Sequence, residues 1–470
     1  MAKNYDVVIL GGGTGGYVAA IRAAQLGLSV AIVEKEKLGG TCLHKGCIPT
    51  KSLLRSAEIY RNIKDASNFG VDVKGAAVNF KNMQNRKQKI VDQLHQGVQT
   101  LIKKNKIDVY NGVGCILGPS IFSPLPGTIS VDLVGEEENE MLIPQHVIVA
   151  TGSSPRALHD FPFDGDKIIS SDHLLEMEAL PKSIAIVGGG VIGIEWATLL
   201  HDLGVEVTVL EFGASILPQE DEDVVDLMTK LLVKRGIKIV TNYEVNKSNT
   251  DILADSISLQ IDETSYSFDK MLVAIGRVGN TKQIGLENTD IVIENGYIQV
   301  NHLCQTKESH IYAIGDCIGG MQLAHVASYE GILAVEAIAR KNPTPISINN
   351  IPKCIYGYPE IASVGLTEKQ AKEQQLPIKV SKFPFSAIGK ALIVGETEGF
   401  IKYVVHSETE NILGIHIIGP NATDLISEGM LAILFNAVPW EISGAIHPHP
   451  SLSEVFGEGA LAVEKRAIHF

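Results

Sequence analysis

The sequence has no apolar segment long enough to cross a membrane, because no uninterrupted run approaches the roughly 18 residues that a bilayer requires. The first apolar run, at residues 7–10, is also much shorter than the core of a signal peptide and ends in glycines. We therefore predict a protein with no membrane partner and a cytoplasmic location.

Basic charge and cysteine are also scarce. The chain has 40 Lys and Arg against 54 Asp and Glu, a net charge of −14, and no segment combines clustered basic residues with aromatics. This argues against a nucleic acid partner. Six cysteines in 470 residues cannot form the disulfide framework of a small secreted domain. The one close pair, Cys42 and Cys47, therefore requires a redox or metal explanation.

The remaining composition is that of a globular protein with several domains. The chain is 45% hydrophobic and 20% charged, which is too apolar for a disordered protein. Since one domain takes about 100 to 200 residues, a chain of this length is expected to form roughly three.

A buried strand, a glycine-rich turn and a helix follow one another at the start of the sequence. In a dinucleotide-binding βαβ unit, Gly11 would make the turn and Gly13 would let the backbone approach a pyrophosphate. Gly16 would pack the helix on the strand, and Glu34, at the end of the next strand, would bind a ribose hydroxyl.

The same unit occurs a second time further along the chain. The spacing is 188 − 11 = 177 between the first glycines and 211 − 34 = 177 between the acidic residues. A single glycine motif is weak evidence, but two copies in the same strand, turn and helix context predict two dinucleotide sites. The second site consists of Gly188, Gly190, Gly193 and Glu211.

The acidic residues also indicate which nucleotides bind. A carboxylate at this position accepts hydrogen bonds from ribose hydroxyls and repels a 2′-phosphate. Glu211 is followed by Phe212, Gly213 and Ala214 with no arginine, which favours NAD over NADP. We assign FAD to the first unit, because the cysteine pair follows directly after its acidic residue.

Three further strand patterns divide the rest of the chain. Apolar strands that end at Gly152 and Gly276 are suited to close the two nucleotide-binding units, and a third ends at Asp316, where ligands of α/β sheets bind. After about residue 350, amphipathic strands alternate with helices. We predict an FAD-binding domain (1–150), an NAD-binding domain (151–280), a central region that completes the FAD domain (281–350) and an interface domain (351–470).

The cysteine pair has the spacing of a redox site. Four residues separate Cys42 from Cys47, and a helical turn or tight loop can bring them to disulfide distance. Pro49 suits the first turn of a helix, which places Cys47 at a helix N-terminus, where the dipole stabilises a thiolate. A zinc site would need two more ligands, and the other four cysteines are isolated. Zinc and inert buried thiols are the two alternatives.

Several segments together resemble one enzyme family. They are residues 39–51 (GGTCLHKGCIPTK), the two glycine motifs, residues 314–316 (IGD) and residues 447–454 (HPHPSLSE). Over nearly the whole chain they resemble the flavin-dependent disulfide oxidoreductases. The resemblance implies an α/β protein with two Rossmann-like dinucleotide-binding domains, for FAD and NAD, and a C-terminal α+β dimerisation domain. It also implies a homodimer in which the C-terminal histidine of one subunit completes the other's active site.

The resemblance implies the redox roles. Cys42 corresponds to the thiol that exchanges with the substrate, and Cys47 to the thiol beside the flavin. Lys51 corresponds to a lysine near the flavin N5, and its ion-pair partner in the family matches Glu195. A fixed positive charge at that place favours the reduced, anionic flavin.

His449 and Glu454 match the acid/base pair of the family. A neutral imidazole can take a proton from a thiol, and a carboxylate on its other nitrogen sets the tautomer and stabilises the imidazolium. In the family the catalytic histidine precedes Pro and then Ser or Thr. This selects His449, with Ser451 two residues later, and leaves a structural role for His447.

The same resemblance places further residues at the cofactors. Asp316 corresponds to the residue that holds the ribityl chain, and Gly114 to a backbone contact with the adenine part. Ala324 corresponds to the loop over the isoalloxazine, and Ile192 to the residue that covers the flavin until NAD enters. We predict further cofactor contacts at Thr41, Lys51, Thr151, Gly152, Ser153 and Gly276, and no metal site.

Within the family, the resemblance is closest to enzymes that oxidise protein-bound dihydrolipoamide and pass hydride to NAD⁺ as the shared component of a 2-oxo acid dehydrogenase complex. It implies docking on the acyltransferase subunit of that complex, for which an acidic surface is suited by electrostatic steering. Another flavin disulfide reductase, such as glutathione reductase, is the alternative, although Glu211 argues against its NADP site. A non-catalytic flavoprotein subunit is the alternative from a different class.

Overall fold

The first glycine motif lies in a mainly parallel sheet. A computed structural model describes residues 3–119, 125–135 and 138–470. The strand before the motif is buried along most of its length, as expected for a parallel sheet covered on both faces. The parallel strands, in spatial order, are Asp108–Ile116, Val30–Glu34, Lys3–Leu10, Glu140–Val149 and Ile311–Ala313, and Ile129–Leu133 pairs antiparallel with the first and fourth of them.

The second glycine motif lies in a second parallel sheet with the same arrangement. In both sheets the strand before the motif pairs with the strand that leads to the acidic residue and with a later, returning strand. The strands, in spatial order, are Lys238–Val240, Glu206–Leu210, Ser183–Val187, Lys270–Val273 and Ile168–Ile169. A small antiparallel sheet precedes the returning strand and consists of Thr250–Ile252, Ile257–Ile261 and Thr264–Phe268.

The glycines explain why both motifs make the same tight turn. Gly11 and Gly188 have φ angles of +105° and +110°, a region that residues with a Cβ avoid. A Cβ on either would overlap a carbonyl oxygen of the returning segment, and a Cβ on Gly16 or Gly193 would overlap the carbonyl oxygen of the first glycine. Each helix therefore approaches its strand as closely as a bare backbone permits.

The C-terminal part of the chain is built on an antiparallel sheet. Two helices, Ala422–Leu434 and Glu454–Val463, pack against it through a core that includes Ile426 and Phe456. The second of these helices begins with Glu454, so this packing also positions the predicted acid/base pair. The strands, in spatial order, are Lys353–Ile355, Glu360–Gly365, Ile412–Gly419, Phe400–His406 and Ile378–Pro384.

The chain passes between the two parallel sheets twice, and the two crossings pair with each other. The strand Ser153–Pro155 of the first crossing is antiparallel to Arg277–Gly279 of the second. The later strand Ile311–Ala313 then returns to the first sheet beside Glu140–Val149. This return brings Asp316 to the carboxyl edge of the first sheet.

The helices connect and cover these sheets. Within the described ranges, no helix is long and apolar enough to span a membrane. The helices are Thr14–Gln25, Gly40–His44, Cys47–Lys64, Phe80–Lys104, Ser171–Glu176, Val191–Asp202, Glu222–Arg235, Ala324–Ile338, Glu368–Glu373, Gly389–Val394, Ala422–Leu434, Pro439–Gly444 and Glu454–Val463. Shorter elements are the 3₁₀ helices Ala66–Phe69, Leu286–Asn288, Gly315–Ile318, Ile348–Asn350 and Phe385–Ala387, and the paired strands Ile293–Glu294 and Tyr297–Ile298.

Candidate active site

The two predicted redox cysteines lie in consecutive helices. Cys42 is in the short helix Gly40–His44, and Cys47 is the first residue of the helix Cys47–Lys64. Both are free, half-buried thiols, and their side chains are hydrogen-bonded to each other. No side chain caps the longer helix, so its first amides and its dipole are available to Cys47.

The two thiols differ in acidity. The hydrogen bond from Cys42 lowers the pKa of Cys47 to about 7, and burial opposes this effect while the Lys51 ammonium adds to it. The same hydrogen bond, together with burial, raises the pKa of Cys42 above its ordinary value. In the reduced pair, Cys47 is therefore the thiolate and Cys42 the thiol that donates to it.

The positive charge near Cys47 is held by a buried carboxylate. Lys51 lies one turn after Cys47, and its Nζ donates to both oxygens of Glu195, at 2.9 and 2.7 Å. Glu195 is only 4% exposed and also accepts from the Tyr356 amide at 3.0 Å. The Tyr356 ring lies 4.7 Å from the Lys51 ammonium. The sequence contains no local signal for Tyr356, which comes from a distant part of the chain.

His449 and Glu454 form a hydrogen-bonded pair. His449 Nδ1 lies 2.8 Å from Glu454 Oε1, and the Ser451 amide donates to Oε2 at 3.0 Å. These two contacts outweigh burial and hold the pKa of Glu454 below its ordinary value. A carboxylate only accepts, so the proton lies on Nδ1. Nε2 has no hydrogen-bond partner among the residues that the structure describes, so it can take another proton. The His449 side chain is 76% exposed.

The neighbouring histidine is in a different environment. His447 Nε2 lies 2.8 Å from Glu428 Oε1, and its side chain is only 12% exposed. Glu428 belongs to a helix that packs on the antiparallel sheet. His447 is thus tied to its own subunit's core, whereas His449 presents a free nitrogen to the surface.

The acidic residues of the two nucleotide motifs are bound to their own glycine loops. Glu34 Oε2 accepts from the Gly12 amide at 2.6 Å, and Glu211 Oε2 accepts from the Gly189 amide at 2.6 Å. The other oxygen of each carboxylate accepts from an amide two residues later in the chain. Each carboxylate keeps further lone pairs for ribose hydroxyls. Sequence reasoning missed that these acids also shape the turn.

Both motifs leave open space at a helix N-terminus. Gly13 and Gly190 precede helices that have no side-chain cap. A Cβ on Gly190 would meet no atom within 4 Å, and one on Gly13 would meet only Gly40 Cα, at 3.8 Å. Free amides beside an open cradle fit a pyrophosphate.

Asp316 is linked to the crossings between the sheets. The Ser153 hydroxyl donates to the Asp316 carboxylate, and Arg277 Nε donates to the Ser153 hydroxyl at 2.6 Å. The Thr151 hydroxyl donates to the Asn280 carbonyl at 2.7 Å. The Ser153 and Thr151 hydroxyls thus hold the crossings, and the predicted cofactor contacts of these two residues stay predictions. Sequence reasoning did not identify Arg277.

The other predicted cofactor residues lie at turns and at the ends of elements, and their roles stay predictions. Thr41 directly precedes Cys42, Ala324 begins the helix Ala324–Ile338, and Ile192 is the second residue of the helix after the second motif. Gly114 lies in the strand Asp108–Ile116 with Leu10 against it. Gly152 and Gly276 have positive φ angles.

Two family models match the chain. The pyridine nucleotide-disulphide oxidoreductase model covers residues 5–331, and the dimerisation domain of the same enzymes covers residues 351–460. The chain belongs to the pyridine nucleotide-disulphide oxidoreductase family. The predicted family is therefore confirmed, and the dimerisation domain supports the predicted homodimer.

Two full-length relatives and one solved structure are similar to this chain. The chain is 60% identical to the dihydrolipoyl dehydrogenase of Bacillus subtilis (strain 168), with 100% of both chains covered, and 41% identical to that of Chlamydia pneumoniae, covering 100% of this chain and 99% of that one. The structure of LpdA from Mycobacterium tuberculosis superposes with a TM-score of 0.90 at 25% identity, covering 98% of this chain and 99% of that one.

Family membership confirms the predicted fold class and the predicted cofactors, FAD and NAD. The residues of this chain fit both cofactors. Each glycine motif combines a turn without Cβ atoms, free helix amides and a carboxylate with spare lone pairs. Asp316 follows the strand Ile311–Ala313 of the first sheet, and Ile48, in the first turn of the helix that carries Lys51, packs against the core of that sheet, which agrees with the FAD assignment.

Proposed function

We propose that this family member oxidises dihydrolipoamide to lipoamide and reduces NAD⁺ to NADH, which is the reaction of a dihydrolipoyl dehydrogenase. The asymmetric cysteine pair carries the proposal, because one thiol is held as a thiolate near neutral pH and the other remains a proton donor. The full-length Bacillus subtilis relative with that name supports it.

The dithiol half of the reaction is an exchange at Cys42. In the oxidised enzyme Cys42 and Cys47 share a disulfide, and His449 Nε2 takes the proton of one substrate thiol. The new thiolate attacks Cys42 Sγ, the bond to Cys47 breaks, and Cys47 leaves as a thiolate. The second substrate thiol attacks the mixed disulfide, closes the lipoamide ring and transfers its proton to Cys42. Two electrons then reside on the cysteine pair, and one proton resides on His449.

The reduced pair is stabilised where it forms. Cys42 donates to the Cys47 thiolate, and the Lys51 ammonium lowers its energy further. Glu195 keeps that ammonium in place through two hydrogen bonds. When bound, FAD accepts the electron pair from the thiol side, and NAD⁺ receives it as hydride.

We further propose that His449 acts in the active site of the partner subunit. Its side chain projects from the dimerisation domain, and its free nitrogen is exposed. Glu454 holds the imidazole in the tautomer that can accept a thiol proton. A homodimer would then contain two sites, each with cysteines from one chain and the histidine from the other.

The physiological substrate we propose is dihydrolipoamide on the acyltransferase subunit of a 2-oxo acid dehydrogenase complex. The net charge of −14 supports docking to a basic partner domain, since opposite charges accelerate encounter. The cytoplasmic location stays a prediction from the sequence.

The test is turnover by purified, FAD-loaded protein supplied with dihydrolipoamide and NAD⁺, followed as NADH formation. Cys42→Ser is expected to abolish this turnover and to keep NADH-dependent reduction of a small dye, because the dye does not need the exchange thiol. Cys115→Ser is the matched control, because Cys115 is an isolated cysteine, and it is expected to retain both activities.

Two results would overturn the proposal. One is a protein that is fully loaded with FAD but produces no NADH from dihydrolipoamide. The other is activity confined to glutathione disulfide and NADPH, which would select the glutathione reductase alternative.

A further inference from the structure

Two helices that meet at the proposed redox site are joined by ion pairs near both of their ends. One begins with Cys47, and the other follows the second glycine motif. Lys51 pairs with Glu195 close to their first turns, and Arg61 pairs with Asp202 close to their last turns. The helices therefore run side by side in the same direction, joined at points about 10 to 15 Å apart along their axes.

Each of the two ion pairs forms a joint between the helices, and the joint at their far end is part of a buried charge cluster. We call it the Asp202 cluster, and it consists of Arg61, Asp202, Arg235 and Tyr358. Arg61 Nη1 donates to Asp202 Oδ2 at 2.7 Å, and Arg235 donates to the other carboxylate oxygen. The Arg61 guanidinium lies 3.5 Å from the centre of the Tyr358 ring, and Arg235 donates to the Tyr358 carbonyl at 3.1 Å.

A third part of the chain contacts both joints. Tyr356 donates its amide to Glu195 and places its ring beside the Lys51 ammonium. Tyr358, two residues later, lies in the Asp202 cluster. This segment connects to the antiparallel sheet of the dimerisation domain. The thiol-bearing helix, the helix after the second glycine motif and the dimerisation domain therefore converge at the same two joints.

The cluster depends on its single carboxylate. The Asp202 side chain is 5% exposed and faces two guanidinium groups. Burial lowers the pKa of Arg235, and the charge of Asp202 opposes that effect. Without the carboxylate, the two guanidinium groups would lose the acceptor that they share, and the electrostatic interaction of Arg61 with Glu396 would offset only part of that loss. Directional ion pairs also permit fewer relative positions of the helices than an apolar contact would.

We propose that the Asp202 cluster positions the redox site from a distance, by holding the helix of Cys47 and Lys51 in one position against the helix after the second glycine motif. Its members are positioning residues, because the cluster lies at the opposite end of the helices from the thiols. The inference rests on the proposed function, in which electrons pass from Cys47 through bound FAD to NAD⁺, so the helix of Cys47 and the helix after the second glycine motif must keep their relative position. Misplacement of reacting groups by about 1 Å can lower a rate by about 100-fold.

The primary test compares Asp202→Asn and Arg61→Gln with wild-type FAD-loaded protein. Turnover of dihydrolipoamide and NAD⁺ is expected to fall about tenfold or more, which corresponds to about 1.4 kcal/mol of activation free energy. Arg55→Gln is the matched control, because Arg55 lies on the same helix in an exposed ion pair with Glu58. It is expected to leave turnover unchanged.

A spectroscopic measurement separates positioning from simple loss of fold. A thiolate beside oxidised flavin gives a long-wavelength absorbance. In protein reduced by two electrons, with the cysteine pair reduced and the flavin oxidised, the pH titration of this band reports the Cys47 thiolate, with a midpoint near 7 expected in the wild type. In Asp202→Asn and Arg61→Gln, we expect the midpoint to rise or the band to weaken, because Lys51 is no longer held near the thiolate. If either variant binds FAD with wild-type turnover, or loses turnover while the titration is unchanged, the inference is wrong.

A milder pair of variants keeps the test decisive if the charge changes prevent FAD loading. Tyr358→Phe retains the ring under Arg61 and is expected to resemble the wild type, whereas Tyr358→Leu removes it and is expected to shift the titration. Equal behaviour of the two would contradict the inference. If the wild type itself has no dihydrolipoamide activity, the proposed function fails, but the titration of protein reduced chemically by two electrons still tests the cluster.

Discussion

The acid/base assignment can be tested by removing one charge and keeping the shape of the side chain. In Glu454→Gln, the amide oxygen can accept from His449 Nδ1, which keeps the imidazole in position, while the amide nitrogen takes the place of Oε2 and the Ser451 amide loses its acceptor. What is lost is the negative charge that stabilises the imidazolium formed when His449 takes the thiol proton. The variant therefore tests the charge of Glu454 together with the loss of the Ser451 contact, with little change in side-chain shape.

The size of the effect follows from the hydrogen bond. The His449 to Glu454 distance of 2.8 Å is that of a charge-assisted contact. Such a bond contributes about 1.5–3 kcal/mol, against about 0.5–1.5 for a neutral one, so the loss is about 1–2 kcal/mol. Because His449 is well exposed, we expect the lower part of this range to apply. Dithiol turnover should fall about 5- to 10-fold.

The assay is the rate of NADH formation from dihydrolipoamide, measured beside NADH-dependent dye reduction, which requires no thiol deprotonation and should not change. The chain supplies a matched control in Glu428→Gln, since Glu428 binds His447 at the same 2.8 Å distance. That variant should retain dithiol turnover. Equal losses in the two variants, or equal losses of both activities in Glu454→Gln, would refute the reasoning.

Three further predictions concern buried titrating groups. In protein reduced by two electrons, the Cys47 thiolate band should be present above pH 7 and disappear as the pH falls through about 7, since the pKa of Cys47 is about 7. A band that persists to pH 5 would contradict this. Lys402→Met should lower the free energy of unfolding by about 3–5 kcal/mol, because the Lys402 side chain is 2% exposed among three carboxylates. Lys372→Met, which breaks an exposed ion pair, should lower it by less than about 1 kcal/mol. Similar losses for the two variants in denaturant unfolding would refute this. Burial raises the pKa of Glu330 to about 7 from 4.5, so the wild type should lose up to about 3 kcal/mol relative to Glu330→Gln as the pH rises from about 4.5 through 7. If the free energy of unfolding has the same pH dependence in the wild type and in Glu330→Gln, that effect is excluded.

Much of the nucleotide-binding architecture could be predicted from the sequence because its cause is local. Gly11 and Gly16 are required by a turn of a few residues, and Gly188 and Gly193 repeat that turn with the same spacing. Period and composition also distinguish buried parallel strands from the amphipathic strands after about residue 350. The helix start at Cys47 followed from Pro49 two residues later.

Contacts within the candidate site were harder to predict from the sequence. Lys51 and Glu195 were paired through family resemblance, since nothing near either residue in the sequence indicates the other, 144 positions away. Tyr356, Arg277 and the second role of Glu34 in the glycine turn went unrecognised. Each depends on which elements pack together, and hydrophobic periodicity does not specify packing partners.

The sequence by itself determined the chemical groups and their local geometry: two thiols separated by four residues at the start of a helix, and two glycine turns each followed by an acid. Steric limits on φ and helix-terminal amides act within a few residues, so the sequence suffices for them. Only the tertiary structure decided which of the two histidines is exposed and how the charge beside Cys47 is held. It also revealed that Asp202 joins the two functional helices at their far end. Burial and charge pairing depend on residues far apart in the chain, and folding alone brings them together.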